Sequence, residues 1–425
     1  MKWIVIIAVV LAAAGAARAQ EGKPSASPYA QWKNGPSTDA NFFAVAVWGQ
    51  NVANARRYKE AGVNLYMGGS FTKDKLAALR SQGLVAFASA TDENLALKDD
   101  PTIVGWLLMD EPDLSKSVSK LWKDDANRMK EAWPDEPTIG RPLGEWSGNG
   151  PPWPPKWIQA DGRKVKAADP TRPVLLNCGI VGPWQLPARR FRKTHPEDYV
   201  EYYKAADIAS QDYYPGRGQW AQADGKFYYV AACVRNVRQY AGPDKIVWNV
   251  VEAMKPIHTL TPHLTKAEVW MSIIHGAQGI GYFVHQMGPP NRGDKFIEAS
   301  VFEDANMRKA FTETNRLIAS LAPVLNSPPL KDAVEAASSV PAGKELAGLE
   351  LAPLAAMARR HGGATYVFAV RMEETPAKGT FAVKGLAGKA AAEVLGEGRS
   401  IEVTDGKFQD DFQGYDSRVY KITTK

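Results

Sequence analysis

The chain has 425 residues, 45% of them hydrophobic and 23% charged, which suits a large globular domain with a smaller module beside it. A formal net charge of +6 is mild for that length, and acidic and basic residues are interspersed, so nucleic acid is a poor partner. Two cysteines, Cys178 and Cys233, exclude a disulfide framework, allow one bridge at most and match no metal-site spacing.

The first residues read as a secretory signal peptide over 1–19. Lys2 is the basic start, 3–14 the apolar run, and Ala17-Arg18-Ala19 a cleavage site before Gln20. That run is shorter than the ~20 residues a spanning helix needs, which disfavours a retained anchor. A secreted or periplasmic protein without a membrane partner is expected. A polar leader follows at 20–41.

From residue 42, apolar runs alternate with amphipathic stretches. The runs are FFAVAVW (42–48), VNLYMGG (63–69), LVAFASA (84–90), IVGWLLM (103–109), PVLLNCG (173–179), DIASQDYY (207–214), IVWNVVEA (246–253) and GIGYFVHQ (279–286). Helical patterns occupy 52–61, 73–82, 116–133, 196–206, 226–240, 266–275 and 305–321, and only the link from the third run to the fourth lacks a long one. Strands buried on both sides are apolar without alternation, so eight β-then-α units predict a (β/α)8 barrel over 42–327. A doubly wound open sheet is the rival, but no glycine-rich phosphate turn follows an early strand.

A stretch dense in Pro, Gly and Trp at 133–166 is expected to be an insertion between the fourth helix and the fifth strand. Barrel logic starts it on the N-terminal face. Its length lets it climb the outside, so one of Trp146, Trp153 or Trp157 is expected to line a distal subsite, with anchoring of the loop as the alternative. Beyond 328 the texture changes to short runs such as ATYVFAV and RVYKITT between turns, which predicts a small C-terminal antiparallel β-sandwich over 328–425.

In such a barrel the chemistry sits at the C-terminal ends of the strands. Strand four runs into Asp110-Glu111-Pro112 and strand seven ends in Glu252. Two glutamates at one mouth are what glycoside hydrolysis needs, one to hand over a proton and one to attack or stabilise the anomeric carbon. Trp48 and Gln50 end strand one, Asn177 strand five, Asp212, Tyr213 and Tyr214 strand six, and Tyr282 and His285 strand eight. Of these, Trp48, Asp110, Asn177, Asp212, Tyr213, Tyr214, Tyr282 and His285 are candidate substrate contacts, with Trp48, Tyr213, Tyr214 and Tyr282 as sugar-stacking floors. Each acid also has a plainer reading, a helix start for Asp110-Glu111 and a salt-bridged strand end for Glu252.

With glutamates after strands four and seven, DEP at strand four, QDYYP at strand six and a trailing β-sandwich, the chain resembles the clan A retaining β-glycoside hydrolases over about residues 42–325. The resemblance implies that Glu111 is the acid/base, that Glu252 is the nucleophile, and that Tyr213 or Tyr214 hydrogen-bonds to the nucleophile. The residue before the acid/base is usually Asn in that clan and binds the sugar 2-hydroxyl; Asp110 stands there in this chain, and its charge would raise the pKa of Glu111. The expectation is a retaining hydrolase of an oligo- or polysaccharide that needs no metal or organic cofactor. A non-catalytic carbohydrate-binding protein on the same scaffold is the alternative, and a lyase using strand-end Tyr and His a third. The basic run ARRFRKTH (188–195) reads as a solvated loop or a contact to an anionic sugar, His258, His263 and His275 as structural or surface residues, and Cys178 as structural.

Overall fold

In the computed structural model, which describes residues 27–114, 152–182, 196–217, 224–287 and 296–424, eight parallel strands close into a barrel. They are β1 (Ala44–Trp48), β2 (Leu65–Met67), β3 (Val85–Ser89), β4 (Ile103–Leu107), β5 (Val174–Cys178), β6 (Ile208–Asp212), β7 (Ile246–Glu252) and β8 (Gly279–Phe283). Each pairs with its successor, and β8 returns to β1. One row of side chains, including Ala46, Met67, Phe87, Leu175, Ile208 and Trp248, fills the barrel axis. The opposite row, including Val47, Trp106, Leu176, Val247 and Val251, packs outward against helices. Both rows are apolar, which is why these strands show no alternation in sequence.

A helix follows each strand: α1 (Ala55–Glu60), α2 (Lys73–Ser81), α3 (Asp92–Leu95), α4 (Pro155–Ala168), α5 (Asp198–Tyr203), α6 (Tyr228–Ala241), α7 (Pro262–Ile274) and α8 (Ala305–Ser320). Local chemistry sets their starts. Thr72, Thr261 and Asp304 accept N-terminal amides of α2, α7 and α8, and Pro262 sits in the first turn of α7, where its missing N–H costs nothing.

The expected insertion needs correcting. Its last part is α4, fourteen residues long, with Ile158, Gly162 and Val165 buried along one side. Pro154 and Pro155 start this helix rather than extend a loop, because proline fits a first turn. Gly162 is required by close approach: a Cβ there would lie 2.3 Å from the Ala205 carbonyl oxygen. The helical pattern at 116–133, Trp146 and the basic run at 188–195 lie outside the described residues.

The C-terminal part is one eight-stranded antiparallel sheet, in the order β10-β11-β16-β13-β14-β15-β12-β9. These strands are β9 (Val334–Ser338), β10 (Leu354–His361), β11 (Ala364–Arg371), β12 (Ala377–Val383), β13 (Lys389–Val394), β14 (Arg399–Thr404), β15 (Lys407–Phe412) and β16 (Ser417–Thr424). The sheet curls until its edge strands β9 and β10 meet, enclosing Phe381, Phe408, Phe412 and Tyr420 in a sandwich-like core. Its other face packs on the barrel through Phe368 against Trp270 of α7, with ring centroids 5.7 Å apart. Cys178 and Cys233 are both buried and free.

Candidate active site at the barrel mouth

Beyond β4 the chain turns sharply through Asp110, Glu111, Pro112 and Asp113. Glu111 has φ 45°, a left-handed conformation that costs a non-glycine residue roughly 1–2 kcal/mol. The neighbours enforce it. The Glu111 N–H donates to the Asn177 carbonyl at 2.9 Å, and the Leu114 N–H donates to the Glu111 carbonyl at 3.2 Å. Asp113, buried, accepts the Gly179 N–H at 2.7 Å and the Tyr199 hydroxyl at 3.0 Å. So the third carboxylate of the turn ties it to the end of β5 and to α5, leaving Asp110 and Glu111 to face the mouth. Non-glycine strain of this kind recurs at functional sites.

Glu111 and Asp110 line a cavity of about 180 Å³ with Asp212, Trp48, Tyr214, Phe283 and Arg217. The volume is below the ~300–1,000 Å³ of sites for drug-sized ligands and suits a single ring. Tyr214 and Phe283 meet at 5.2 Å between centroids, and the Arg217 guanidinium lies over both, 5.4 and 5.3 Å from their centroids. A second cavity of about 510 Å³ shares Trp48 and Asp110 with the first and runs over β2–β4 to Asp161 and Lys164 of α4.

Asp212 is strongly perturbed. Burial pushes its carboxyl well above the usual range, and the charges of Glu111 and then Asp110 push the same way. The Tyr214 hydroxyl donates to its Oδ2 at 2.9 Å and opposes the shift, while Oδ1 has no hydrogen-bond partner. Burial and two neighbouring carboxylates thus both favour the protonated form of Asp212.

Glu252 lies on the axis-facing row of β7 with Ile246, Trp248 and Val250, yet it is fully buried and does not line the cavity. The Gly216 N–H, in the turn after β6, donates to its Oε1, and a Cβ at Gly216 would sit 3.0 Å from that atom. Its Oε2 has no hydrogen-bond partner. Burial raises its pKa to about 8, against lowering by the Gly216 amide and Arg217. Behind it, Glu268 of α7 is buried with neither carboxylate oxygen hydrogen-bonded, and burial, then the Glu252 charge, hold it protonated well above the usual range. Of the two strand-end glutamates, Glu111 lines the cavity and Glu252 is buried against the Gly216 amide.

Other expected contacts divide. Trp48 and Tyr214 line the cavity. Tyr213 borders it, but its ring packs on Tyr229. Asn177 is buried behind Asp110, donating to its Oδ1 at 3.2 Å and accepting from Ser210 at 2.8 Å, so it positions that carboxylate. His285 supports Trp48: protonated at Nε2 it donates to the Trp48 carbonyl (3.2 Å), while Nδ1 accepts from Gln50 (3.4 Å). Tyr282 is corrected. It faces the helices, donating its hydroxyl to Asn315 of α8 at 2.7 Å and packing on Phe311. Phe283 takes the place expected for it, and a readable signal existed. Gly279 and Gly281 have no room for a Cβ beside Trp248, Met67 and Val250, so 279, 281 and 283 share the axis face. Arg217 and Glu268 were also missed, and neither has a local sequence signal.

The Trp pair of the former insertion is placed at the mouth rather than the base. The Trp153 N–H donates to the Pro112 carbonyl at 2.8 Å, beside Glu111. The rings of Trp153 and Trp157 pack together at 5.8 Å, and neither lines either cavity. The Trp153 backbone ties the pair to the Pro112 turn, outside the two cavities described. Among the described residues, no group of three or more His, Cys, Asp or Glu is arranged to hold a metal ion, and no helix is long and apolar enough to cross a membrane.

No protein-family model matches the sequence, and a search of curated proteins finds no match. Among solved structures, the GH42 β-galactosidase Gan42B of G. stearothermophilus is similar to the chain. It is 10% identical, covers 90% of this chain and 98% of its own, and has a TM-score of 0.53. A catalytic mutant of Gan42B gives the same identity and coverage with a TM-score of 0.52. At that identity the likeness is one of fold: an eight-stranded barrel with its trailing antiparallel sheet is an architecture this chain shares with a β-galactosidase.

Proposed function

We propose that the protein is a retaining β-glycoside hydrolase that cleaves an oligo- or polysaccharide by double displacement. The observation that carries this reading is Glu111 and Asp212 facing one ring-sized cavity between Trp48, Tyr214 and Phe283. Aromatic faces bind the CH surfaces of sugars, and paired carboxylates with a retained proton supply acid and nucleophile. The printed name of the fold relative, a β-galactosidase, points the same way.

In this reading Glu111 protonates the glycosidic oxygen as the C–O bond breaks, while a second carboxylate bonds to the anomeric carbon. Glu111, now ionised, takes a proton from water, whose oxygen displaces the carboxylate and leaves the anomer unchanged overall. Asp212 is the favoured nucleophile, because it shares the cavity with Glu111 and carries the tyrosine hydrogen bond expected of that role, and it attacks once the proton that its burial favours resides on Glu111. Glu252 is the second reading, favoured by its axis-facing place at the end of β7, where the Gly216 N–H donates to one carboxylate oxygen. None of these steps calls for a metal or organic cofactor. Residues 1–19 would direct export, matching an extracellular or periplasmic polysaccharide substrate.

The test is a panel of 4-nitrophenyl glycosides and β-linked oligosaccharides, with the first-formed anomer read by NMR. Turnover with retention is expected. Carbohydrate binding without turnover would make the protein a binding module, and an inverted first product would remove the covalent step.

A further inference from the structure

Arg217 stands apart in the cavity. It is half-buried, and its guanidinium is stacked over Tyr214 and Phe283 rather than paired with a carboxylate. Among the described residues no ion pair or hydrogen bond involves it, although Asp110, Glu111 and Asp212 line the same space and its charge acts on the buried Glu252. The two rings explain this. They hold the guanidinium carbon on the β6–β8 side of the cavity, while Asp110 and Glu111 enter from β4. Two carboxylates, Asp110 and Glu111, therefore lie across the cavity from the guanidinium, while Asp212, held by the Tyr214 hydroxyl, shares its side.

A neutral sugar would take solvent from that guanidinium and leave its donors unmatched, which is costly in a closed site. A guanidinium held by stacking is preorganised to grip a planar or tetrahedral oxyanion with two parallel N–H bonds. A sugar ring with its anomeric carbon at Glu111 and Asp212 would present the far side of the ring to Arg217. Burial favours the neutral form of Asp212, which reduces its repulsion of an anion beside Arg217.

We propose that the cavity takes a sugar carrying a negatively charged substituent, a carboxylate or a sulfate ester, and that Arg217 is the residue that selects it. This rests on the carbohydrate reading of the cavity but not on turnover. Titration calorimetry of the full chain separates the two, using three oligosaccharides of one backbone and linkage: neutral, uronate-bearing and sulfated. Wild-type protein should bind at least one anionic ligand ten-fold or more tighter than the neutral one. The ligand that responds identifies the oxyanion. Arg217→Gln should reduce that ratio at least ten-fold, Arg217→Lys should recover part of it, and melting temperatures should confirm that both variants fold. Where turnover occurs, the Arg217→Gln loss should lie mainly in KM for the anionic substrate.

Equal or tighter binding of the neutral ligand, equal weakening of all ligands in Arg217→Gln, or no binding of any of the three would overturn the proposal. Selective anionic binding without hydrolysis would uphold it and defeat the hydrolase reading. Hydrolysis of neutral glycosides without anionic preference would do the reverse.

Discussion

Glu252→Gln makes a direct probe of the buried acid beneath the Gly216 turn. The wild-type carboxyl has its ordinary pKa of about 4.5 when unfolded and is pushed up to about 8 by burial when folded. The folded state therefore binds more protons between those values, and its stability falls as pH rises. The contribution is fully present below about pH 4.5, declines by up to ~1.4 kcal/mol per pH unit, and is gone above about pH 8. Over that window the loss is on the order of 5 kcal/mol, since a fully buried group has little solvent screening to reduce it. Glutamine keeps an oxygen for the Gly216 N–H but does not ionise. Urea unfolding of both proteins from pH 5 to 9 should show the variant gaining on wild type as pH rises, then a plateau. Glu268 titrates in the same direction and feels Glu252, so the series should be repeated in a Glu268→Gln background, where the Glu252 effect is isolated. A stability difference that stays flat across pH 5–8 would refute the buried, protonated Glu252.

Three further outcomes are expected. Asp113→Ala removes the acceptor of two buried donors, the Gly179 N–H and the Tyr199 hydroxyl, and should cost roughly 2–4 kcal/mol in chemical denaturation; a loss under 0.5 would mean the turn is held elsewhere. Azide should rescue Asp212→Ala, giving the glycosyl azide of opposite anomeric configuration, and should not rescue Glu252→Ala; rescue of Glu252→Ala alone would move the nucleophile to β7. Exported protein should begin at Gln20 by mass spectrometry, and an intact N-terminus on exported material would contradict the signal-peptide reading.

The barrel was legible because its strands are apolar on both faces, and that pattern depends only on local sequence. The helix α4 was not, because Pro154, Pro155 and Gly162 look like loop residues until the first-turn geometry and the contact with Ala205 are known. On β8 the rule that neighbours face opposite ways was available in Gly279 and Gly281, and choosing Tyr282 over Phe283 ignored it. Glu111 and Asp110 reached the cavity as strand position implied. Glu252 met the same positional rule and yet is covered, because the cover comes from a turn after β6 whose path no residue near 252 encodes. The Tyr214–Asp212 hydrogen bond and the stacked Arg217 are likewise contacts between side chains whose geometry emerges only in the assembled mouth.

The central claim is that Glu111 is the proton donor of a glycoside hydrolase, and a leaving-group series tests it most directly. Wild-type protein and Glu111→Ala should be compared on aryl glycosides whose phenols span low to high pKa, and on an unactivated oligosaccharide. Activated leaving groups need little protonation, so kcat/KM for the lowest-pKa phenol should fall little in Glu111→Ala, while the oligosaccharide should lose about 10²–10⁴-fold. A loss of the same size on every substrate would contradict the assignment.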